Sequence, residues 1–206
     1  LLTIHITASV VEPFAASTPE RIALNNLTAE GIGSFPLDIV IDAGHADAVF
    51  GEDILKQAQG IEDLLKRSPN VSAVISPVSV LRHLKCRYAG ASDCKSFTIS
   101  GTAEATQLWT IFSGAGDAYP LVDDDRRYLR VRALLYDGGS AAVDPIVSSL
   151  RALPGGEHWK LGGPAMIGKA VGDGIIAATK HKVLAILMIS ALVGLFVFRS
   201  WLAALF

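Results

Sequence analysis

The sequence is short of charge, and its charge is unevenly spread. Only 18% of its 206 residues are charged, against about 25% in ordinary soluble domains, and no acidic residue follows Asp173. The isoelectric point is about 6.2, and the lysines and arginines form no cluster. The phosphate contacts that dominate nucleic-acid affinity are therefore not expected. The hydrophobic content of 50% excludes a disordered chain.

The motifs of catalysis and of metal binding are missing as well. None of the five histidines has metal-ligand spacing with another His, Cys or acidic residue. No serine has G-x-S-x-G flanks, and the glycine pairs at 31–33 and 114–116 lack the rest of a phosphate loop. The sequence therefore gives no support to an enzyme, and we expect neither a metal nor a cofactor.

The two cysteines are close together in the sequence. Cys86 and Cys94 frame a polar loop rich in small residues, and an oxidising compartment would permit a disulfide between them. Two free surface thiols are the alternative. Exposed free thiols are unfavourable outside the cytosol, so we expect the bridge if this part of the chain is extracytoplasmic.

A long apolar run lies near the C-terminal end. Residues 183–198 contain no ionisable side chain. As a helix they would be about 24 Å long, against a hydrocarbon core of about 30 Å. A few more residues on either side would let this helix span the bilayer if a flanking lysine or arginine reached an interface. A buried core helix usually shows a polar stripe, whereas only Ser190 and Gly194 interrupt this run. We therefore predict a transmembrane helix, truncated, over 183–206.

The first half of the chain alternates strand and helix patterns. Apolar residues alternate over 36–42, which predicts a strand, and proline is permitted at its start. Between Glu52 and Lys66 apolar residues recur at helical spacing, which predicts an amphipathic helix. The β-branched run at 71–77 predicts a second strand. Residues 2–6 also alternate, as a strand would, although the end of a preceding membrane helix fits equally well.

The second half repeats this pattern in a different order. Strict alternation over 128–136 predicts a third strand, the stripe over 143–150 predicts a second helix, and 158–165 is a weaker strand candidate. Residues 78–119 are less periodic. We interpret them as an insertion with short helices, the second of which opens at Thr102 as its cap. The resulting βαββαβ order predicts an α+β fold, the split βαβ pattern of a ferredoxin-like sandwich with both helices on one face.

The predicted organisation has four parts. They are a lead-in at 1–35, an α+β domain at 36–165 with the insertion at 78–119, a connecting helix at 166–182 and the membrane helix at 183–206. The connector contains Gly168, Gly172 and Gly174. Because glycine weakens a helix, these three predict a hinge, with close packing against a neighbouring helix as the alternative.

Four segments resemble a known family. They are FPLDIVIDAG at 35–44, SPNVSAVISPVSVLRHL at 68–84, LVDDDRRYLRVRALLYD at 121–137 and FRS at 198–200. In this order they resemble the resistance-nodulation-division (RND) superfamily, and within it the predicted exporters grouped with the MMPL lipid transporters. The resemblance covers nearly the whole chain, but it rests on the order of strands and helices rather than on a catalytic motif.

The resemblance implies a function and a location. In that family a large extracytoplasmic porter loop of ferredoxin-like subdomains connects the first membrane helix of each repeat to the second. The chain would then be one such loop with the next helix attached, in a proton-driven exporter of hydrophobic or amphiphilic substrates in the bacterial inner membrane. The family's proton-relay carboxylates lie on membrane helices that this sequence lacks, so no relay residue is carried over.

The resemblance also implies partners, and it leaves choices open. The implied partners are the lipid bilayer, the remaining transmembrane helices and the second porter loop of the same transporter, with a hydrophobic substrate. Lys180 and Lys182 before the apolar run would favour the opposite orientation by local charge, and the residues do not distinguish the first loop from the second. A membrane-anchored periplasmic binding or assembly module without transport activity is the alternative function.

Overall fold

The computed structural model describes residues 15–94, 97–114 and 121–198. The alternating residues at 2–6 and the end of the predicted membrane helix, at 199–206, lie outside this description. The described elements, in chain order, are α1 (Pro19–Ala29), β1 (Phe35–Asp42), α2 (Glu52–Lys66), β2 (Val71–Ile75), α3 (Pro77–Tyr88), α4 (Thr102–Gly114), β3 (Tyr128–Leu135), α5 (Ser140–Arg151), a 3₁₀ turn (Gly156–His158), β4 (Lys160–Gly162) and α6 (Pro164–Phe198).

The four strands form one antiparallel sheet in the order β2-β3-β1-β4. The α+β class predicted from the sequence is confirmed. The two strands joined by α2, β1 and β2, are separated by β3, and the two joined by α5, β3 and β4, are separated by β1. The two central strands pair over their whole length, from Phe35 opposite Leu135 to Asp42 opposite Tyr128.

Alternation along the central strands places one set of side chains in the core. On β1 the inward residues are Leu37, Ile39 and Ile41, none more than 2% exposed, and β3 alternates in the same way. The apolar stripes of α2 and α5 belong to the same buried cluster. The period-two and helical patterns in the sequence therefore correspond to a single core.

The insertion predicted at 78–119 is a structural part of this domain. Leu81 on α3 and Trp109 on α4 are buried in the main core, and the Trp109 ring lies 5.8 Å from that of Phe50, centroid to centroid. The predicted cap Thr102 is instead the first residue of α4, and the Ala105 N–H donates to the Gly101 carbonyl at 3.1 Å. Weak periodicity here reflects two short helices that each bury only a few side chains.

The second strand ends earlier than its β-branched run predicts. Ser76 caps α3, since its Oγ accepts from the Ser79 N–H at 3.0 Å while the Ser79 Oγ accepts from the Ser76 N–H at 3.1 Å. Pro77 occupies the first position of α3, where its missing N–H leaves no partner unsatisfied. The proline therefore starts a helix rather than closing a strand, and β2 ends at Ile75.

The lead-in and the connector also differ from the sequence prediction. Helix α1 lies inside the predicted lead-in, and none of its residues is buried. The predicted strand at 158–165 is shortened, because Pro164 and the buried Ala165 already belong to α6. One continuous helix of 35 residues replaces the predicted connector and the described part of the apolar run. The transmembrane helix predicted over 183–206 is not found: in residues 15–94, 97–114 and 121–198, no helix is both long enough and apolar enough to cross a membrane.

Candidate functional site

A cleft of about 430 Å³ lies between α2 and α3, and the chain at 98–101 forms its third wall. Helix α2 lines it with four residues whose helical spacing places them on one face, namely Glu52, Leu55, Lys56 and Gln59. Helix α3 contributes residues four positions apart, Val78 and Arg82. Leu55, Val78 and Ile99 give the cleft apolar surface, while Lys56 and Arg82 bring positive charge to it. We refer to it as the α2–α3 cleft.

Arg82 holds the inner end of the cleft. Its Nη2 donates to the Gln59 side-chain oxygen, and its Nη1 lies 3.7 Å from Glu62 Oε1, which is too far for a hydrogen bond. The Arg82 side chain keeps 21% of its surface exposed. Gln59 and Glu62 of α2 thus orient the guanidinium. Its exposed part faces the cleft, where it can contact a bound molecule.

The residue next to Arg82 is Glu62 of α2, whose carboxylate is fully buried. Its Oε2 accepts from the Ser76 Oγ at 2.6 Å, and its Oε1 accepts from Lys66 Nζ. A buried carboxylate is costly unless it is paired and hydrogen-bonded. Here two cations, Lys66 and Arg82, face one carboxylate, so the cluster carries one net positive charge.

The third wall of the cleft is fixed to the helices beside it. Lys85 Nζ on α3 donates to the Thr98 carbonyl at 2.8 Å and to the Ser100 Oγ at 3.1 Å. Lys85 also pairs with Glu104 on α4 at 2.7 Å. The hydrogen bond from Lys85, aided by the Ser100 N–H, lowers the pKa of the Glu104 carboxyl. These contacts bind the segment 98–101 to both α3 and α4.

A disulfide joins Cys86 and Cys94, the pair singled out in the sequence. Their Cα atoms are 5.2 Å apart, and Cys86 is fully buried. The bridge ties the end of α3 to the chain that leads to the third wall of the cleft.

The glycines singled out as a hinge lie in an unbroken part of α6. Gly168 and Gly172 are buried, while Gly174 is exposed, and a Cβ added at Gly174 would meet no atom within 4 Å. Between them, Lys169 Nζ contacts Asp144 Oδ1 on α5 at 2.5 Å and Asp173 Oδ2 at 2.7 Å, and these carboxylates raise the pKa of Lys169. Gly168 and Gly172 therefore lie where α6 packs on the domain.

The sequence did not single out the polar residues of the cleft. Gln59, Glu62 and Arg82 are on helices that the sequence predicts, but helical spacing does not show which polar side chains two helices bring together. One signal was present, because Glu62 directly follows the buried Ile61 in the apolar stripe of α2. A carboxylate at such a position needs a cationic partner from a neighbouring element.

The lining of the cleft combines apolar surface with hydrogen-bonding groups. Apolar side chains cover part of its wall, and the polar groups at its inner end are the donors of Arg82 and the amide of Gln59. Among the residues that the structure describes, no three His, Cys, Asp or Glu side chains are grouped so that they could hold a metal ion. No protein-family model matches the chain, and no curated protein matches it.

Proposed function

We propose that the chain is a segment of a proton-driven exporter of the RND type, with hydrophobic or amphiphilic substrates. It would comprise a ferredoxin-like extracytoplasmic domain and the helix that leads from it into the membrane. The resemblance of the sequence to MMPL-like exporters and the split order of the sheet support this proposal.

The observation that carries the proposal is the surface of the second half of α6. Four consecutive large apolar residues are 59–62% exposed, namely Ile186, Leu187, Met188 and Ile189. Since successive residues of a helix point about 100° apart, these four face in all directions around its axis. A single protein surface could cover only one side of such a helix. Lipid or several neighbouring helices could cover all of them.

The disulfide supports an extracytoplasmic location for the domain. Disulfides persist in oxidising compartments such as the bacterial periplasm and are rare in the cytosol. The Cys86–Cys94 bridge lies within the predicted domain at 36–165. On this proposal the domain is outside the inner membrane, and the apolar end of α6 enters the bilayer.

The attachment of α6 supports coupling between domain and membrane. Gly163 alone separates β4 from α6, and the first turns of α6 are held by the buried Ala165 and by the Lys169–Asp144 ion pair. A rocking movement of the domain would therefore carry α6 with it. Of the three glycines, only Gly174 lies beyond these contacts. A Cβ there would meet no atom within 4 Å, so the helix could bend at this position.

The α2–α3 cleft favours a second candidate, a membrane-anchored periplasmic binding module without transport. The complete gene distinguishes the two. A transporter of this type has about a dozen hydrophobic spans and two copies of this unit, whereas an anchored module has one span.

Transport is tested with the full-length protein in sealed vesicles. An imposed proton gradient should drive export of a fluorescent hydrophobic substrate, and dissipating the gradient should stop it. Export that ignores the gradient, or none at all, would overturn the proposal. The location is tested with a membrane-impermeant thiol reagent on whole cells. It should label Glu157→Cys, whose side chain is 67% exposed, and leave Ser200→Cys unlabelled until the cells are opened.

A further inference from the structure

We propose that the α2–α3 cleft binds a small carboxylate with a compact apolar body. This site goes beyond export, since either an exporter or an anchored module could carry it. The cleft combines three features of a ligand site: a volume of about 430 Å³, apolar walls, and one oriented cation at its inner end. Small-molecule sites typically have volumes of about 300–1,000 Å³ and a few well-placed polar groups among apolar ones.

The charge at the cleft favours an anion. The lining has two cations, Lys56 and Arg82, and one carboxylate, Glu52. Glu52 pairs with Lys56 at 2.6 Å at the exposed rim, so the rim is nearly neutral. Arg82 is one of two cations around the single buried carboxylate Glu62. Among the described residues, Asp63 meets this group only through the Gln59 amide, whose Nε2 donates to Asp63 Oδ1 at 2.8 Å, so the positive charge that Glu62 does not balance is at the inner end.

The donors of Arg82 favour a planar carboxylate. Within the described part of the chain, the guanidinium donates through Nη2 to Gln59, and Nη1 is beyond hydrogen-bond distance of Glu62. The remaining N–H groups match the two oxygens of a carboxylate, the anion that arginine binds in bidentate fashion. Gln59 and Glu62 fix the orientation of the guanidinium before a ligand arrives.

The walls define the rest of the ligand. Leu55, Val78 and Ile99 offer apolar surface between the rim and Arg82. The volume is near the lower end of the range for ligand sites, so it suits one short chain or one ring rather than a lipid with two acyl chains. Because Lys85 and Glu104 fix the wall at 98–101, the site is largely formed in advance, which limits the entropy cost of binding.

The site is tested with a diazirine-bearing octanoate and the full chain in phosphatidylcholine nanodiscs. After irradiation, mass spectrometry should find the label on the peptides that contain 55–59, 78–82 and 98–101. Unlabelled octanoate should compete about tenfold better than octanol, because a charge-assisted hydrogen bond is worth at least that factor. Equal competition by octanol, or label found only elsewhere, would overturn the site.

Two variants and a control separate binding from folding. Arg82→Gln should reduce labelling by about tenfold and abolish the preference for octanoate over octanol. Leu55→Trp should block labelling by filling the cleft. Arg67→Gln removes an exposed arginine at the end of α2 that does not line the cleft and should be labelled like the parent. If Arg82→Gln unfolds, as thermal scans would show, Leu55→Trp decides alone, and labelling at the parental level contradicts the site.

The outcome is independent of transport. A labelled cleft in a protein that shows no gradient-driven export would leave the site in place and remove the exporter. Export without labelling of the cleft would support the exporter and remove the site.

Discussion

Asp38 and Arg132 are direct partners in the register of the two central strands, and they form a bidentate ion pair. Arg132 Nε donates to Asp38 Oδ1 at 2.6 Å, and Nη2 donates to Oδ2 at 2.8 Å. The pair lies on the face of the sheet opposite the buried side chains of β1. Both side chains are only 16–17% exposed, and Arg130 Nη1 lies 3.9 Å from the same carboxylate. One carboxylate thus stabilises two cations across the centre of the sheet.

We expect Asp38→Ala to lower the free energy of unfolding by about 2–4 kcal/mol. Removing one partner of a mostly buried pair leaves the other charge desolvated. The measurement is urea unfolding followed by circular dichroism. Glu52→Ala, which removes an ion pair with side chains 69% and 75% exposed, is the control and should cost less than about 1 kcal/mol. Equal losses in the two variants would show that burial does not set the value of the pair.

Asp42 makes stability depend on pH at the acidic end. The hydrogen bonds from the Arg127 guanidinium, at 2.9 and 3.0 Å, and from the Gly44 N–H lower the pKa of Asp42 to about 2. An unfolded aspartate has a pKa of about 3.9. The folded form therefore binds fewer protons in this window. The stabilisation is present above about pH 4 and is lost as the pH falls towards about 2.

Asp42→Asn tests this dependence. The variant should be less stable than the parent at neutral pH, and the difference should shrink as the pH falls from about 4 to about 2. The measurement is the midpoint of urea unfolding across that range. A difference that stays constant with pH would mean that the pair stabilises by geometry alone.

The sequence predicts the regular part of this fold well. The bounds of α2 agree with the apolar stripe from Glu52 to Lys66, and β1 and β3 agree with their alternation to within a residue. Each of these elements buries one face of a regular structure, so a period in the sequence corresponds directly to burial. Helix α1 buries no residue, so its sequence has no apolar stripe from which the helix could be predicted.

The candidate site could not be predicted in the same way. The cleft depends on the angle between α2 and α3 and on where the chain at 98–101 returns. Neither is encoded in a local period. The cysteine pair was the exception, because Cys86 and Cys94 are near in sequence and their chemistry is specific. The start of α3 was missed because Ser76-Pro77 can end a strand or begin a helix, and only the pairing with Ser79 distinguishes the two.

Adjacent glycines before α6 differ in what they tolerate. Gly163 has a φ of +92°, and an added Cβ would lie 2.6 Å from the Pro36 carbonyl oxygen. A Cβ at Gly162 would meet nothing within 4 Å. We expect Gly163→Ala to destabilise by about 2 kcal/mol or more, because it adds backbone strain to a clash. Gly162→Ala should stay within about 1 kcal/mol. Urea unfolding measures both, and similar losses would contradict the assigned turn.

The disulfide should stabilise the domain through the unfolded chain. For a loop as short as Cys86 to Cys94, the loss of loop entropy corresponds to about 2–3 kcal/mol. The double variant Cys86→Ala/Cys94→Ala should lose that amount in urea unfolding. A reducing agent should destabilise the parent but leave the double variant unchanged. An effect of the reductant on the double variant would show that it acts elsewhere.

The glycines of α6 distinguish bending from packing. Gly172 is buried, so Gly172→Ala alters packing as well as flexibility. Gly174 is exposed with open space around it, so Gly174→Ala changes flexibility almost alone and should stabilise the helix by about 1 kcal/mol. If the helix bends during transport, Gly174→Ala lowers gradient-driven export from vesicles, while expression and membrane insertion stay as in the parent. Export at the parental rate in Gly174→Ala, with a loss confined to Gly172→Ala, would assign the glycines to packing instead.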